Sequence, residues 1–292
     1  MPDALAFALE TAREAGQLLC RLYRQRHTVR HKSTAIDLVT EADLASERLI
    51  VEAIRAQFPN DAILSEEGLG DLQRVPDETH RLWIVDPLDG TVNYAHGYPV
   101  WGVSLALAQG GRVVTCASYD PLLDEIFWAE RGRGAWSNGE PIHVSAATRL
   151  GDALVATGFS YQRATLVDSS TPRRNAPGSN LAEFGAVMPR VQGVRRAGAA
   201  ILDLAHVAAG RLDAYWEMYL QPWDWAAGSL LVEESGGTVT DLYGEPWTLD
   251  TNNLVASNGA IHRELLAILR SAHEPSVEHR ATQSENQVEE ML

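Results

Sequence analysis

Two aspartates stand three residues apart in Asp86-Pro87-Leu88-Asp89, directly behind the apolar run Leu82-Trp83-Ile84-Val85 and directly ahead of Gly90-Thr91. Such a run reads as a β-strand, so both acids are presented at its end. Pro87 fixes its own φ and biases Asp86 toward extended geometry, which holds the pair stiffly enough to share a metal ion. Two carboxylates brought so close do not both stay ionised at neutral pH without a cation between them. No His or Cys accompanies them, and an all-oxygen donor set favours a hard cation. A sparse carboxylate set suits Mg2+, which keeps several waters and completes its shell from a substrate phosphate. Gly90 allows close backbone approach by a ligand, and Thr91 adds a hydroxyl where the free N–H groups of a following helix can meet phosphate. Taken alone, the pattern also fits an ordinary turn.

Further acids strengthen the metal reading. Leu64-Ser65-Glu66-Glu67-Gly68 places paired glutamates in a turn after an apolar run, and Pro222-Trp223-Asp224-Trp225 sets Asp224 between two tryptophans at a helix start. Asp43, closing Asp37-Leu38-Val39-Thr40-Glu41-Ala42-Asp43, also falls at a helix start. Asp224 as an N-cap, and Asp43 as an acid at the positive end of a helix, have plain structural readings as well. Lys32 is the sole lysine, and its compact, rotatable ammonium is a group that arginine does not reproduce.

The elements that must position these residues follow from periodicity. Leu5 to Tyr23 and Leu44 to Phe58 repeat apolar residues at helical spacing, predicting two amphipathic helices at the start. The runs Leu82 to Val85, Val103 to Ala108, Val113 to Tyr119 and Glu125 to Ala129, separated by Asp-Gly, Gly-Gly and Asp-Pro turn signals, predict a mostly antiparallel meander. Beyond Leu150 the pattern predicts strands at Ala153 to Thr157, Asp213 to Glu217, Thr238 to Leu242 and Leu254 to Ser257. Helices are predicted at Ala199 to Ala209, Trp225 to Glu234 and Ala260 to Arg270. Strand groups alternating with helix pairs imply stacked layers. The stretch Tyr161 to Gly178 reads as a polar loop, and Ser271 to Leu292 lacks an apolar period and reads as a disordered tail.

Composition narrows the function class. With 292 residues, 45% of them hydrophobic, the chain can bury a large layered core. A formal net charge of -15 argues against a nucleic-acid partner, because that binding depends on basic side chains neutralising phosphates. The two cysteines, Cys20 and Cys116, have no metal-ligand spacing and read as buried free thiols. Apolar runs stop well short of a membrane span and no leader is evident, so no membrane partner and a cytoplasmic location are expected.

Four motifs, Asp37 to Asp43, Glu66-Glu67, Trp83 to Asn93 and Trp223-Asp-Trp-Ala-Ala-Gly228, stand in the order and at spacings that resemble the inositol monophosphatase family, part of the lithium-sensitive, magnesium-dependent phosphatase group. The likeness runs from about residue 1 to 270. It implies an α+β fold, a layered α-β-α-β-α sandwich of the sugar-phosphatase type, commonly a homodimer. It divides the chain into residues 1–150 with the main metal site, 151–270 completing the active site, and the tail 271–292. It implies two to three Mg2+ ions per active site: Glu66, Asp86 and the Leu88 carbonyl on one, Asp86, Asp89 and Asp224 on a second, and a weaker third leaning on Glu66. Asp43 and Thr91 resemble the pair that positions and deprotonates the attacking water, with Glu67 and Lys32 as further catalytic candidates. Gly90 and Thr91 would bind phosphate through N–H groups, and Gly198, Ala200 and Glu217 would surround the hydroxyl-bearing part of the substrate.

The expected activity is therefore hydrolysis of a small phosphorylated metabolite by activated water, without a phosphoenzyme, and inositol-1-phosphate is the preferred substrate. Fructose-1,6-bisphosphate, histidinol phosphate and phosphoadenosine phosphate stay open, since Arg173, Arg174, Arg190, Arg195 and Arg196 could meet a second phosphate and Glu217 an amine. A noncatalytic phosphate-binding or RNA-associated regulatory protein is the alternative of a different class. Tryptophans flanking Asp224 and a short connection from Glu67 to Trp83 depart from the common family pattern and make lithium sensitivity less secure than Mg2+ dependence.

Overall fold

The computed structural model describes residues 3–23, 29–31, 38–70, 81–161 and 179–272. Lys32, Asp37, Arg173, Arg174, the polar stretch 162–178 and the tail from residue 273 lie outside the described residues. Helices α1 (Ala4–Leu22) and α2 (Glu41–Gln57) are followed by the short α3 (Thr91–His96); α4 (Leu181–Val187), α5 (Ala200–Ala208), α6 (Pro222–Glu234) and α7 (His262–Ser271) complete the helical set among the described residues. The strands are β1 (Val29–His31), β2 (Leu38–Thr40), β3 (Ala62–Ser65), β4 (Arg81–Asp89), β5 (Gly102–Gln109), β6 (Arg112–Asp120), β7 (Glu125–Glu130), β8 (Ala135–Ser137) and β9 (Glu140–Ile142). In the second half come β10 (Leu154–Thr157), β11 (Gly193–Arg195), β12 (Ala214–Met218), β13 (Thr238–Thr240) and β14 (Asn253–Ser257).

A seven-stranded sheet runs in the order β3 to β9, antiparallel except where β3 lies parallel to β4. This is the meander expected from the turn signals. Alternation along β4 makes it two-faced: Trp83, Val85 and Leu88 point to a core shared with Leu19 of α1 and Ile50 and Ile54 of α2, while Leu82 and Ile84 point to a second core. That second core is filled by Leu204 and Val207 of α5, by Trp225, Leu230 and Leu231 of α6, and by Tyr215 of a second sheet. The second sheet is five-stranded, ordered β11-β10-β12-β14-β13. Its outer face, with Val155, Trp216 and Val255, packs on Val187 of α4 and on Leu265 and Leu269 of α7. The result is an α-β-α-β-α sandwich. Because α6 lies between two sheets, Trp225 through Val232 are all buried, the pattern of a helix apolar all round rather than amphipathic.

Several boundaries differ from the sequence expectation. Helix α6 starts at Pro222, three residues early, because proline is well suited to a first helical turn. Helix α2 starts at Glu41 behind an N-cap at Thr40. Cys116 is buried, which pushes its thiol up to about 12, but Cys20, expected to be buried, is exposed. Leu19 takes the inward position on α1, and the next residue is rotated by about 100° around the helix.

Candidate active site

The ends of these elements meet around an open cavity of about 360 Å³. Its lining takes Glu66 from the turn after β3, Asp86, Leu88 and Asp89 from the end of β4 with Gly90 and Thr91 just beyond, Gly158 to Tyr161 after β10, Gly198, Ala199, Ala200 and Asp203 around the start of α5, Glu217 to Gln221 at and beyond the end of β12, and Asp224 in the first turn of α6. The strand end is strongly fixed. Register slips between Asp86 and Asp89 against β5, a bulge that re-aims the acids. Asp86 Oδ1 accepts from the Leu88 N–H at 3.1 Å, and the Pro87 carbonyl accepts from Ser46 of α2 at 2.7 Å. Asp89 Oδ2 accepts from the Ile201 N–H at 2.8 Å, tying the strand to α5. Gly90 has φ +86°, and a Cβ there would lie 2.9 Å from the Val100 carbonyl, so the turn excludes a side chain on both counts.

Thr91 is nearly buried, and its hydroxyl donates to Asp43 Oδ1 at 2.7 Å with the Leu88 carbonyl at 3.2 Å. Asp43 is fully buried behind it. Its other oxygen accepts from the Thr40 N–H at 2.9 Å and from the Thr40 hydroxyl, closing a capping box at the start of α2. Asp43 therefore serves as helix-start acid and as partner of Thr91 together. Asp224 is likewise the third residue of its helix rather than its N-cap: Gln221 occupies that place and its N–H donates to Asp224 Oδ2 at 2.7 Å. Glu66 lines the cavity, whereas Glu67 is absent from its lining.

The acids repel one another. Burial, followed by the charges of Glu66 and Glu217, pushes Asp89 up to about 8, against hydrogen bonds from Ile201 and Gly90. Burial and the charges of Glu66, Asp89 and Glu217 push Asp224 well above the carboxylate range, against the Gln221 N–H. Burial pushes Glu217 up to about 7, against the Tyr215 hydroxyl and Arg196. Among the described residues no three His, Cys, Asp or Glu are clustered tightly enough to grip an ion as they stand; Asp86, Asp89 and Asp224 are each drawn to a backbone donor instead. The donor chemistry nonetheless fits a hard divalent cation, because Glu66, Asp86, Asp89 and Asp224 are among six acids that line one cavity, and their shared cost is mutual negative charge.

On the opposite wall, Gly198, Ala200 and Glu217 line the cavity. A Cβ on Gly158 would run into the Glu217 carboxylate, so only glycine leaves room for this acid. Asn180 braces that strand end, donating to Thr157 Oγ1 at 2.7 Å and to the Gly158 carbonyl at 2.6 Å while accepting from Trp216 Nε1 at 2.7 Å. Of the described arginines considered for a second phosphate, only Arg196 lines the cavity; Arg190 and Arg195 donate to the Ala186 and Val194 carbonyls. Sequence reasoning missed Gly158, Tyr161 and Asp203. The signal for Asp203 was present, an acid in the middle of the apolar helix Ala-Ile-Leu-Asp-Leu-Ala.

A family model described as the inositol monophosphatase family matches residues 2–274. A Pseudomonas aeruginosa protein named Nus factor SuhB is 41% identical over 278 residues, covering 95% of this chain and 99% of that protein. An inositol-1-monophosphatase from Synechocystis sp. is 41% identical over 261 residues, covering 89% of this chain and 86% of that protein. Among solved structures, the inositol monophosphatase from Anabaena matches with a TM-score of 0.79 at 40% identity, covering 94% of this chain and 97% of that one.

Proposed function

The chain belongs to the inositol monophosphatase family, and from that premise we propose that it hydrolyses a small phosphate monoester with Mg2+ as cofactor and inositol-1-phosphate as substrate. The observation that supports this most is the placement of Glu66, Asp86, Asp89, Thr91 and Asp224 around one cavity. Glu66, Asp86 and the Leu88 carbonyl would hold one ion, Asp86, Asp89 and Asp224 a second, and Glu66 would lean on a third. Bound there, divalent ions supply Lewis acidity toward the attacking water and toward the phosphoryl and leaving oxygens.

The chain's own residues provide positioning, which phosphoryl transfer needs above all. Thr91 gives its one hydroxyl proton to Asp43, so its lone pairs remain to accept from a water in the cavity. As the water oxygen bonds to phosphorus, its proton moves toward Thr91 and Asp43, and the bond from phosphorus to the alcohol oxygen breaks on the opposite side. The Thr91 N–H at the start of α3 faces phosphate oxygens. The leaving oxygen takes a proton from a second water in the open cavity, and Glu217, with the backbone of Gly198 and Ala200, receives the departing alcohol.

A second, regulatory reading draws on one observation, the Nus factor name of the Pseudomonas relative. Phosphate release separates the two. The purified protein is given inositol-1-phosphate, fructose-1,6-bisphosphate, histidinol phosphate and phosphoadenosine phosphate, with Mg2+ or with EDTA. Mg2+-dependent release, highest from inositol-1-phosphate, supports the phosphatase reading. No release from any of them, with Mg2+ still binding, transfers the assignment to the regulatory one.

A further inference from the structure

Asp203 has no part in the reaction as derived above. It stands four residues into α5, where its neighbours Ile201, Leu202 and Leu204 are apolar and buried, and it is itself only 3% exposed. It nevertheless lines the cavity, so what little of it is accessible opens onto the substrate's space. A carboxylate this deeply buried is normally kept by hydrogen-bond donors or a paired cation. Among the described residues no donor hydrogen-bonds to it, and the charges acting most strongly on it are those of Glu217 and Asp89, with Arg196 the opposing cation.

Glu217 differs in one respect, since the Tyr215 hydroxyl donates to its Oε2. The two acids thus make one acceptor-rich wall, with the Tyr215 hydroxyl the one donor hydrogen-bonded to its side chains among the described residues. Ionised carboxylates offer acceptors only, and a neutral carboxyl still accepts through its carbonyl oxygen, so in either state the wall is completed by a ligand that brings donors. A leaving alcohol with several hydroxyls brings them. A second phosphate brings further acceptors and negative charge, and a bare aromatic ring brings nothing.

We propose that Asp203 is a specificity-determining residue of this site: beside Glu217, its carboxyl group accepts hydrogen bonds from hydroxyls of the leaving alcohol and selects phosphate monoesters of polyols. The proposal rests on the phosphatase reading above.

The experiment compares wild-type protein with D203L, a change that keeps the size and removes both acceptor oxygens, on inositol-1-phosphate and on phenyl phosphate, whose leaving group carries no further hydroxyl. Leaving a substrate hydroxyl without its acceptor should lower the ratio of kcat/KM for inositol-1-phosphate to that for phenyl phosphate about tenfold, with the loss in KM. The melting temperature should rise at the same time, since the apolar side chain ends the burial of an acid beside Glu217 and Asp89. A purely structural acid would give the reverse, a lower melting temperature with an unchanged ratio, and that result overturns the proposal. D203V, smaller and likewise without an acceptor, carries the same test if D203L does not fold. Wild-type protein inactive on both substrates sinks the phosphatase reading and this proposal with it; wild-type activity on both, with the variant shifting them equally, sinks the proposal alone.

Discussion

Both walls of the cavity are built of acids, yet they are held in different ways. At the end of β4 each acid is met by a backbone donor, Asp86 by Leu88 and Asp89 by Ile201, and the intervening Pro87 is pinned by Ser46. Across the cavity, Glu217 has the Tyr215 hydroxyl and Asp203 has no donor among the described residues. A carboxylate oriented by a backbone N–H group on one oxygen is placed before any ligand arrives, as metal coordination and a fixed water require. An acid left with spare acceptor capacity is completed by what binds. In the proposal made above, the first wall sets the chemistry and the second sets the choice of substrate.

The largest expected effect tests the first half of that contrast. Asp89→Asn should reduce phosphate release on the order of 10³-fold by removing a charge preorganised for the transition state. It should also raise the melting temperature of the metal-free protein, because it removes an acid pushed up to about 8 by burial and its neighbours. Kinetics and thermal denaturation on one preparation check both. Thr91→Val should lower kcat about 10²-fold, in the range of a lost proton-transfer partner, while Mg2+ affinity measured by calorimetry stays close to that of the parent. A loss of affinity without a loss of rate would give Thr91 to the metal rather than to the water.

Gly158→Ala sharpens the second half. Its methyl group collides with the Glu217 carboxylate, so KM for inositol-1-phosphate should rise several-fold with a smaller change in kcat, together with a lower melting temperature from overpacking of about 1–3 kcal/mol. An unchanged KM would mean that Glu217 does not contact the substrate.

The smallest effect is pH-dependent and of opposite sign inside and outside the cavity. Asp89 and Glu217 have folded pKa values raised to about 8 and about 7. Without metal, their contribution to stability is therefore lost as pH rises through those values and regained as pH falls. His262 opens α7, its ring between Ser257 and Thr240, and burial lowers it from 6.5 to about 4. The unfolded chain binds that proton first, so the His262 contribution falls as pH drops from 6.5 toward 4 and offsets one of the two acids. Thermal melts in EDTA should thus improve from about pH 8 downward with a shallower slope below pH 6.5, and His262→Asn should steepen the gain in that lower window only.

What was legible in the sequence follows the same division. The β4 wall is encoded over a few consecutive residues, so its strand, its proline and its glycine could be recognised together, and Thr91 with them. The pairing of Asp43 with Thr91 spans 48 positions and entered through family resemblance rather than spacing. The opposite wall is scattered over Gly158, Gly198, Asp203 and Glu217, which lie on different elements and meet only when two sheets and α5 pack; nothing local ties Gly158 to Glu217. Short elements were also missed, among them β8, β9, β11 and α4, because three to seven residues carry too little periodicity to rise above turn composition. Glu67 was paired with Glu66 by adjacency, but consecutive residues in a turn diverge, and only Glu66 reaches the cavity lining.

The most direct test of the central claim pairs Mg2+ binding with turnover. Calorimetric titration of Mg2+ into wild-type protein and D89N would be run beside phosphate release from inositol-1-phosphate over the same Mg2+ range. The account predicts that wild-type activity rises with Mg2+ occupancy and that D89N loses both. Release that persists in EDTA, or D89N that binds Mg2+ and turns over like its parent, would contradict it.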